Sequence, residues 1–248
     1  MSSNNSKLLE LAKNFPFLKK IYFFYNIYIR NYKFLFKSSQ FNEDKQILEL
    51  FDKNYKGVYL DIGCYHPTRV NNTLSFYRKG WRGMNIDLNQ LTIDLFNYAR
   101  PGDINICAAL SDKVSKTKLY YLGDLDPKNT LDLDHKEWIS DHFSISEKDI
   151  KTKYVQTQKL DKILIDHKLT NIDYMNIDIE GHEIEVLKSI DFNLININVI
   201  CIEVHDYDKK KKNEILSFLK KNGYFLKKKI SINYIFQKNV DIEHLKFK

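Results

Sequence analysis

The sequence predicts a doubly wound α/β domain, a mostly parallel seven-stranded sheet with helices on both faces, preceded by a helical extension. Three observations predict it. After Phe41, short β-branched or apolar runs alternate with amphipathic stretches, as strands do when crossover helices join them. The chain has 248 residues, 43% of them apolar, enough for one full α/β domain and an extension. The last two apolar runs have no helix between them, which predicts an antiparallel pair at the sheet edge.

Residues 1–40 form the extension, and residues 41–248 the α/β domain. From Lys7 to Phe36, bases interleave with large apolar and aromatic residues. Leu8, Leu11, Phe15 and Leu18 have helical spacing, Pro16 interrupts it, and Ile21 to Phe36 reads as a second helix. One reading of residues 7–36 is a surface anchor at an anionic membrane. The simpler one is a helical cap that packs on the domain or pairs two subunits.

In the domain, residues 42–53, 71–80, 88–100, 160–168, 182–190 and 209–223 read as helices. Residues 57–63, 82–87, 103–110, 172–178, 198–205, 224–230 and 232–238 read as the seven strands. Between Lys113 and Gln158 the alternation lapses into two β-rich pieces around an Asp-rich loop. So long a stretch inside a compact domain is usually functional, and 113–158 is expected to be an insertion forming a lid over the site. The run Lys209 to Lys212 opens a helix against its dipole, most simply as solvated surface, with recruitment of an anionic partner as the functional reading.

The net charge of +7 is unevenly distributed: residues 1–40 carry +6, residues 207–248 carry +8, and 27 acids face 20 bases between them, for −7. An acidic middle suits a cationic ligand better than a phosphate backbone, so no nucleic acid is expected as a partner. No Asn/Asp-Pro-Pro-Tyr-like element for base flipping is present either. Cys64, Cys107 and Cys201 form no CxxC pair and read as buried reduced thiols. With no spanning run and no signal-like start, they predict a cytoplasmic protein, with peripheral contact at the inner face of the membrane left open.

Ligands of open parallel sheets bind beyond the carboxyl ends of the strands, where the strand order reverses. The first strand ends in Asp61-Ile62-Gly63-Cys64-Tyr65-His66-Pro67. Gly63 lets backbone approach a ligand, and Asp61 can hold a polar or cationic group. A single glycine in place of G-x-G-x-x-G argues against a dinucleotide. The second strand ends at Asp87, placed to accept from ribose hydroxyls. No GxxxxGK[ST] occurs, and a nucleoside site without a phosphate cradle points to S-adenosylmethionine. The fourth strand ends in Asp178-Ile179-Glu180-Gly181-His182-Glu183 and the fifth in Glu203-Val204-His205-Asp206. Alternation places Asp178 and Glu180 on one side.

Residues 58–90 (VYLDIGCYHPTRVNNTLSFYRKGWRGMNIDLNQ), VQTQKLDKIL at 155–164, IDYMNIDIEGHEIEVLKSIDF at 172–192 and VICIEVH at 199–205 resemble the successive motifs of the FkbM-type family of S-adenosylmethionine-dependent methyltransferases. The resemblance covers roughly residues 55–206 and implies a Rossmann-like class I methyltransferase fold. It also implies O-methylation of a sugar or polyketide-type hydroxyl. The chain departs from the family where Cys64-Tyr65-His66 replaces a small residue and Asn, and where Asp87 replaces Glu. By the resemblance, Asp61 and Gly63 would line the methionine portion of the cofactor, Asp87 the ribose, and Ala109-Leu110-Ser111 the adenine; separately, Asp178 would touch the sulfonium region or orient a base. Asn71, Asn72 and Thr73 would open a helix whose amides hold the methionine carboxylate, capping being their plainer role.

Methyl transfer to a hydroxyl is an in-line displacement, with the oxygen ~3 Å from the methyl carbon and a partner for its proton. His182 and His205 are the candidate bases, and Asp178 would orient one of them. A base alone is favoured over a divalent cation, Mg²⁺ or Mn²⁺, held by Asp178, Glu203 and His205. Tyr65, His66, Glu180 and Arg82 are candidate acceptor contacts, as is Lys79. For Arg82 and Trp81 a structural role in the K-G-W-R-G turn is simpler. His135 and His142 would reach the acceptor if the lid closes. The expected function is S-adenosylmethionine-dependent O-methylation of a nucleotide-activated sugar, a hexose or heptose, for capsule, surface polysaccharide or glycolipid. The rivals are a non-sugar acceptor (nucleic acid, polyketide or lipid hydroxyl) and a membrane-associated adaptor.

Overall fold

The computed structural model describes residues 15–37 and 39–239, so the helical spacing at Leu8 and Leu11 lies outside the described residues. Along the chain run β1 (Val58–Ile62), β2 (Arg82–Asp87), β3 (Ile104–Cys107), β4 (Ala109–Leu110), β5 (Lys116–Tyr121), β6 (Lys151–Gln158), β7 (Asn171–Ile177), β8 (Asn196–Glu203), β9 (Tyr224–Ile230) and β10 (Asn233–Lys238). The α-helices are α1 (Pro16–Phe24), α2 (Glu43–Leu48), α3 (Leu74–Arg78), α4 (Gln90–Ala99), α5 (Leu133–Phe143), α6 (Leu160–Asp166), α7 (Glu183–Lys188) and α8 (Lys209–Lys221).

The main sheet has seven strands in the order β3-β2-β1-β7-β8-β10-β9. Pairing is parallel from β3 to β8, and β10 runs antiparallel to both its neighbours. The order reverses between β1 and β7, which makes their carboxyl ends the switch point. The terminal pair forms an antiparallel edge as expected, with β10 inside against β8 and β9 outermost at that end. Composition explains this: Tyr234, Ile235 and Phe236 are buried, whereas β9 carries Lys227, Lys228 and Lys229, and lysines suit an edge strand.

Alternation along the strands makes two cores, one on each face. Leu60 and Ile62 pack with Met84, Ile86, Ile200 and Ile202 beneath residues of α6, α7 and α8. Tyr59 faces the other way, into a cluster with Phe76, Trp81, Tyr174, Val199 and Cys201, closed by Ile47 of α2. Cys64 and Cys201 are buried as expected; Cys107 is exposed instead, because it ends the edge strand β3.

The segment 113–158 is more ordered than its composition suggests. Its strands β5 and β6 pair antiparallel, β4 joins β6 in parallel to make a small second sheet, and α5 lies between β5 and β6 in sequence. Asp132 caps α5 by accepting from the His135 amide at 2.7 Å. The described part of the extension packs on the domain. Tyr22, Phe23 and Ile27 bury against Leu91 and Leu95 of α4 and Leu125 of the insertion, and Lys19 pairs with Asp94 at 2.6 Å. Its other face leaves Phe17, Phe24, Ile29 and Phe36 exposed. No helix among the described residues is long and apolar enough to cross a membrane.

The lysine run meets local acids. Asp208 caps α8 by accepting from the Lys211 amide, Lys211 pairs with Asp132, and Lys212 with Asp206. The adverse charge at the helix start is thereby offset.

Candidate active site

Beyond the ends of β1, β2 and β7 lies a cleft roofed by Leu125, Asp126, Pro127, Asn129 and Leu131 of the insertion. Gly63 lines it with φ of +74°, and a Cβ there would stand 1.8 Å from the carbonyl oxygen of Asp178. Glycine is required at this place by the neighbouring strand end as much as by any ligand.

Asp87 lines the cleft. Its Oδ2 accepts from the Tyr65 amide at 3.1 Å and its Oδ1 from the Asn89 amide at 2.7 Å. Burial pushes its carboxyl up to about 6 against those two bonds. Tyr65 also lines the cleft, from a left-handed backbone with φ of 53°. Ala109 and Leu110 line the wall after β3. Ser111, just behind, lies 3.1 Å from His182 Nε2 and donates to Asp112 at 3.2 Å.

Several candidates are placed elsewhere. Asp61 shares the face of Tyr59 and is 1% exposed, accepting from Thr73 Oγ1 at 2.7 Å and from the amides of Asn71 and Asn176 at 3.0 Å. Burial raises its pKa, opposed by Thr73 and by the Arg100 charge. Helix α3 begins only at Leu74, so Asn71, Asn72 and Thr73 are buried in this network, Asn72 donating to Asn176 at 3.1 Å. Arg100, fully buried, completes it with bonds to Thr73 Oγ1 at 2.9 Å and to Asn71 Oδ1 and the Pro67 carbonyl at 2.7 Å. Asp61 and Asn72 thus brace the loop after β1 and do not line the cleft.

His66 is buried as well. Its Nδ1 accepts from the amides of Thr68 and Arg69, so its proton sits on Nε2, 2.8 Å from Asn26 Oδ1 in the extension. Burial, with Arg69 beside it, lowers its pKa to about 3. It therefore ties the loop to the extension and does not face an acceptor. Arg82 stands exposed at the amino end of β2, the end of the strand away from the cleft, donating to the Trp81 carbonyl at 2.7 Å and lying over the Tyr77 ring. Lys79 is exposed at the same end. His142 is exposed and stacks on Trp138.

At the end of β7, Asp178, Glu180 and His182 line the cleft. Glu203 and His205, from the end of β8, line a smaller adjoining cavity with Gly181, Glu183 and Tyr207. Glu180 is left-handed with φ of 58°, and Glu183 Oε1 holds the turn by accepting from the amides of Ile179 and Gly181. A Cβ on Gly181 would come within 2.7 Å of His135 Cβ, so this glycine makes room for the lid helix.

His135 is fully buried, with Nε2 2.8 Å from Glu180 Oε2 and Nδ1 2.6 Å from the Tyr207 hydroxyl. Thr130 Oγ1 donates to the Glu180 carbonyl at 2.7 Å, and Lys211 joins Asp132 of the insertion at 2.5 Å to the Gly181 carbonyl at 3.0 Å, fastening the insertion to the turn after β7. Burial, then the neighbouring Asp178 charge, pushes Glu180 up to about 8; burial, then Glu180, does the same to Glu203. Asp178 stands well above the usual carboxylate range through burial and the Glu203 charge, and burial lowers His182.

Sequence reasoning missed Arg100, Asn89 and the lid's Leu125, Asp126 and Asn129. Arg100 closes an amphipathic helix before Pro101-Gly102, where it looks like a terminator, and nothing local marks it as the centre of a buried network.

The strand order, the site at its reversal point and the carboxylates at successive strand ends define a class I methyltransferase domain. The family described as the methyltransferase FkbM domain matches residues 61–226, and the chain belongs to it. Among solved structures, it is similar to precorrin-6y C5,15-methyltransferase of Geobacter metallireducens GS-15, at 12% identity over 78% of this chain and 86% of that one, with a TM-score of 0.39. It is also similar to the fibrillarin pre-rRNA processing protein of Methanococcus jannaschii, at 13% identity over 75% and 68%, with a TM-score of 0.33. No curated protein matches the chain.

Methyltransferases of this class take their methyl group from S-adenosylmethionine, and the cleft fits it. Asp87, Asp126, Asp178 and Glu180 line it without a Lys or Arg, which suits a sulfonium nucleoside better than a phosphate.

Proposed function

We propose that the protein transfers the methyl group of S-adenosylmethionine to a hydroxyl of a nucleotide-activated sugar, a hexose or heptose used in surface polysaccharide or glycolipid synthesis. The observation that carries this reading is a cleft with a ribose-type carboxylate on β2 and carboxylates with an imidazole at the end of β7. Those strands lie on either side of β1, so a nucleoside with its ribose at Asp87 directs its 5′ substituent across β1 toward the end of β7. The acceptor class rests on the family resemblance.

The donor supplies a methyl carbon bonded to a positively charged sulfur. Asp87 accepts from the ribose hydroxyls, while Leu88, Leu110 and Leu125 offer apolar surface to the adenine. Asp178 faces the sulfonium side. The acceptor oxygen forms the new C–O bond as the S–C bond breaks and its electron pair passes to sulfur; the hydroxyl proton goes to the His182 ring. Asp126 and Asn129 on the lid offer hydrogen bonds to further sugar hydroxyls, and the fastened lid excludes water.

The test is incubation with S-adenosylmethionine and pools of nucleotide sugars, followed by mass spectrometry of the methyl ether formed. His182→Ala should slow transfer by ~10²–10⁴-fold while leaving donor affinity near wild type. Methylation of RNA or of a lipid with no reaction on any sugar would refute the assignment.

A further inference from the structure

We infer that Asp178, Glu180, Glu203 and His205 form a binding site for a divalent cation, in the wall between the methyl-transfer cleft and the adjoining smaller cavity. Its role in transfer rests on the proposed function, whereas its geometry does not.

Ligand atoms of Asp178, Glu180 and Glu203 all lie within 4.8 Å of one another, and the same holds for Glu180, His205 and His135. Around an ion with ligands at ~2.1 Å, adjacent donors stand about 3 Å apart and opposite ones about 4.2 Å, so a slight contraction suffices. Two buried atoms point to a missing partner. Glu203 is 8% exposed, and neither its Oε2 nor His205 Nε2 makes a hydrogen bond; the two meet only as an ion pair at 3.3 Å, which needs a protonated imidazole. Buried polar atoms nearly always make hydrogen bonds, and a buried carboxylate oxygen without one marks the place of a ligand.

Charge supports the assignment. Among the described residues, no Lys or Arg forms an ion pair with Asp178, Glu180 or Glu203, and Lys211 close by is committed to Asp132 and the Gly181 carbonyl. His135 has both ring nitrogens occupied, so it positions Glu180 and is not itself a ligand.

Three carboxylates and one imidazole suit a hard cation that tolerates nitrogen, which favours Mn²⁺ over Mg²⁺. Asp178 and Glu180 also line the cleft, so a cation held by them faces the acceptor hydroxyl and makes it more acidic, leaving its proton to His182.

The test is Mn²⁺ titration of the full chain after dialysis against EDTA, followed by electron paramagnetic resonance. One Mn²⁺ should bind per chain, with affinity at least tenfold lower in Glu203→Gln and in His205→Ala and unchanged in Arg82→Ala. Calorimetric binding of S-adenosylmethionine verifies that each variant is folded. If the wild type binds no Mn²⁺ at millimolar concentration, or both ligand variants bind it as tightly, the carboxyls share protons in place of an ion and the inference fails, while sugar methylation stands. Mn²⁺ binding without methylation of any sugar supports the site and instead removes the proposed acceptor.

Discussion

Asp87→Asn tests the donor site most directly. Each oxygen of Asp87 accepts one backbone N–H, from Tyr65 and from Asn89, leaving lone pairs for two ribose hydroxyls. An asparagine has one acceptor oxygen, so its NH₂ must face one of those amides, and it offers at best one bond to the ribose. Bonds to a charged acceptor are worth ~1.5–3 kcal/mol and neutral ones ~0.5–1.5, so losing one and neutralising the other costs about 2–3 kcal/mol, or ~30–150-fold in Kd.

The pH dependence follows with a definite sign. The Asp87 carboxyl is raised to about 6, so its charge is present above that pH and lost as pH falls through it. From pH 7 to 5 the ionised fraction drops from about 0.9 to about 0.1, so wild-type affinity falls ~tenfold, while the donor's own α-carboxyl stays ionised. Calorimetry at pH 5, 6 and 7 reads both effects. Near pH 6, binding should also release about half a proton, seen by comparing buffers of different ionisation enthalpy. An Asn variant within threefold of wild type at pH 7, or a wild type with flat affinity between pH 5 and 7, would refute the ribose assignment.

Arg100→Met should lower stability by ~3 kcal/mol, because the polar groups around Asp61 lose a buried cation that no other residue replaces; a urea titration measures it. Ile27→Ala removes a fully buried side chain from the seam between extension and domain and should cost ~2–5 kcal/mol. Limited proteolysis should then cut the extension faster, and an unchanged cleavage rate would deny that this seam holds it.

Much of the cleft's acidic lining is legible because the end of a parallel strand is a place defined locally. A period-two run that stops at an acid puts that acid at the carboxyl edge whatever the rest of the chain does, and Asp87, Asp178 and Glu180 line the cleft for this reason. The same reasoning placed Asp61 wrongly. Its position on β1 was clear, but which face held the cleft and which held Arg100 was not. Arg82 failed for a related reason: it belongs to the start of β2, the end away from the site.

By itself, then, the sequence determined the family, the strands and the acids that end them, since periods of 2 and 3.6 residues and a run of spaced motifs are written into neighbouring positions. Only the tertiary structure decided that β10 lies inside the sheet, that His66 reaches the extension and not an acceptor, and that His135 of the insertion locks onto Glu180. The His66 and His135 contacts join segments tens of residues apart, set by how two cores close around the sheet, and no local pattern carries that information.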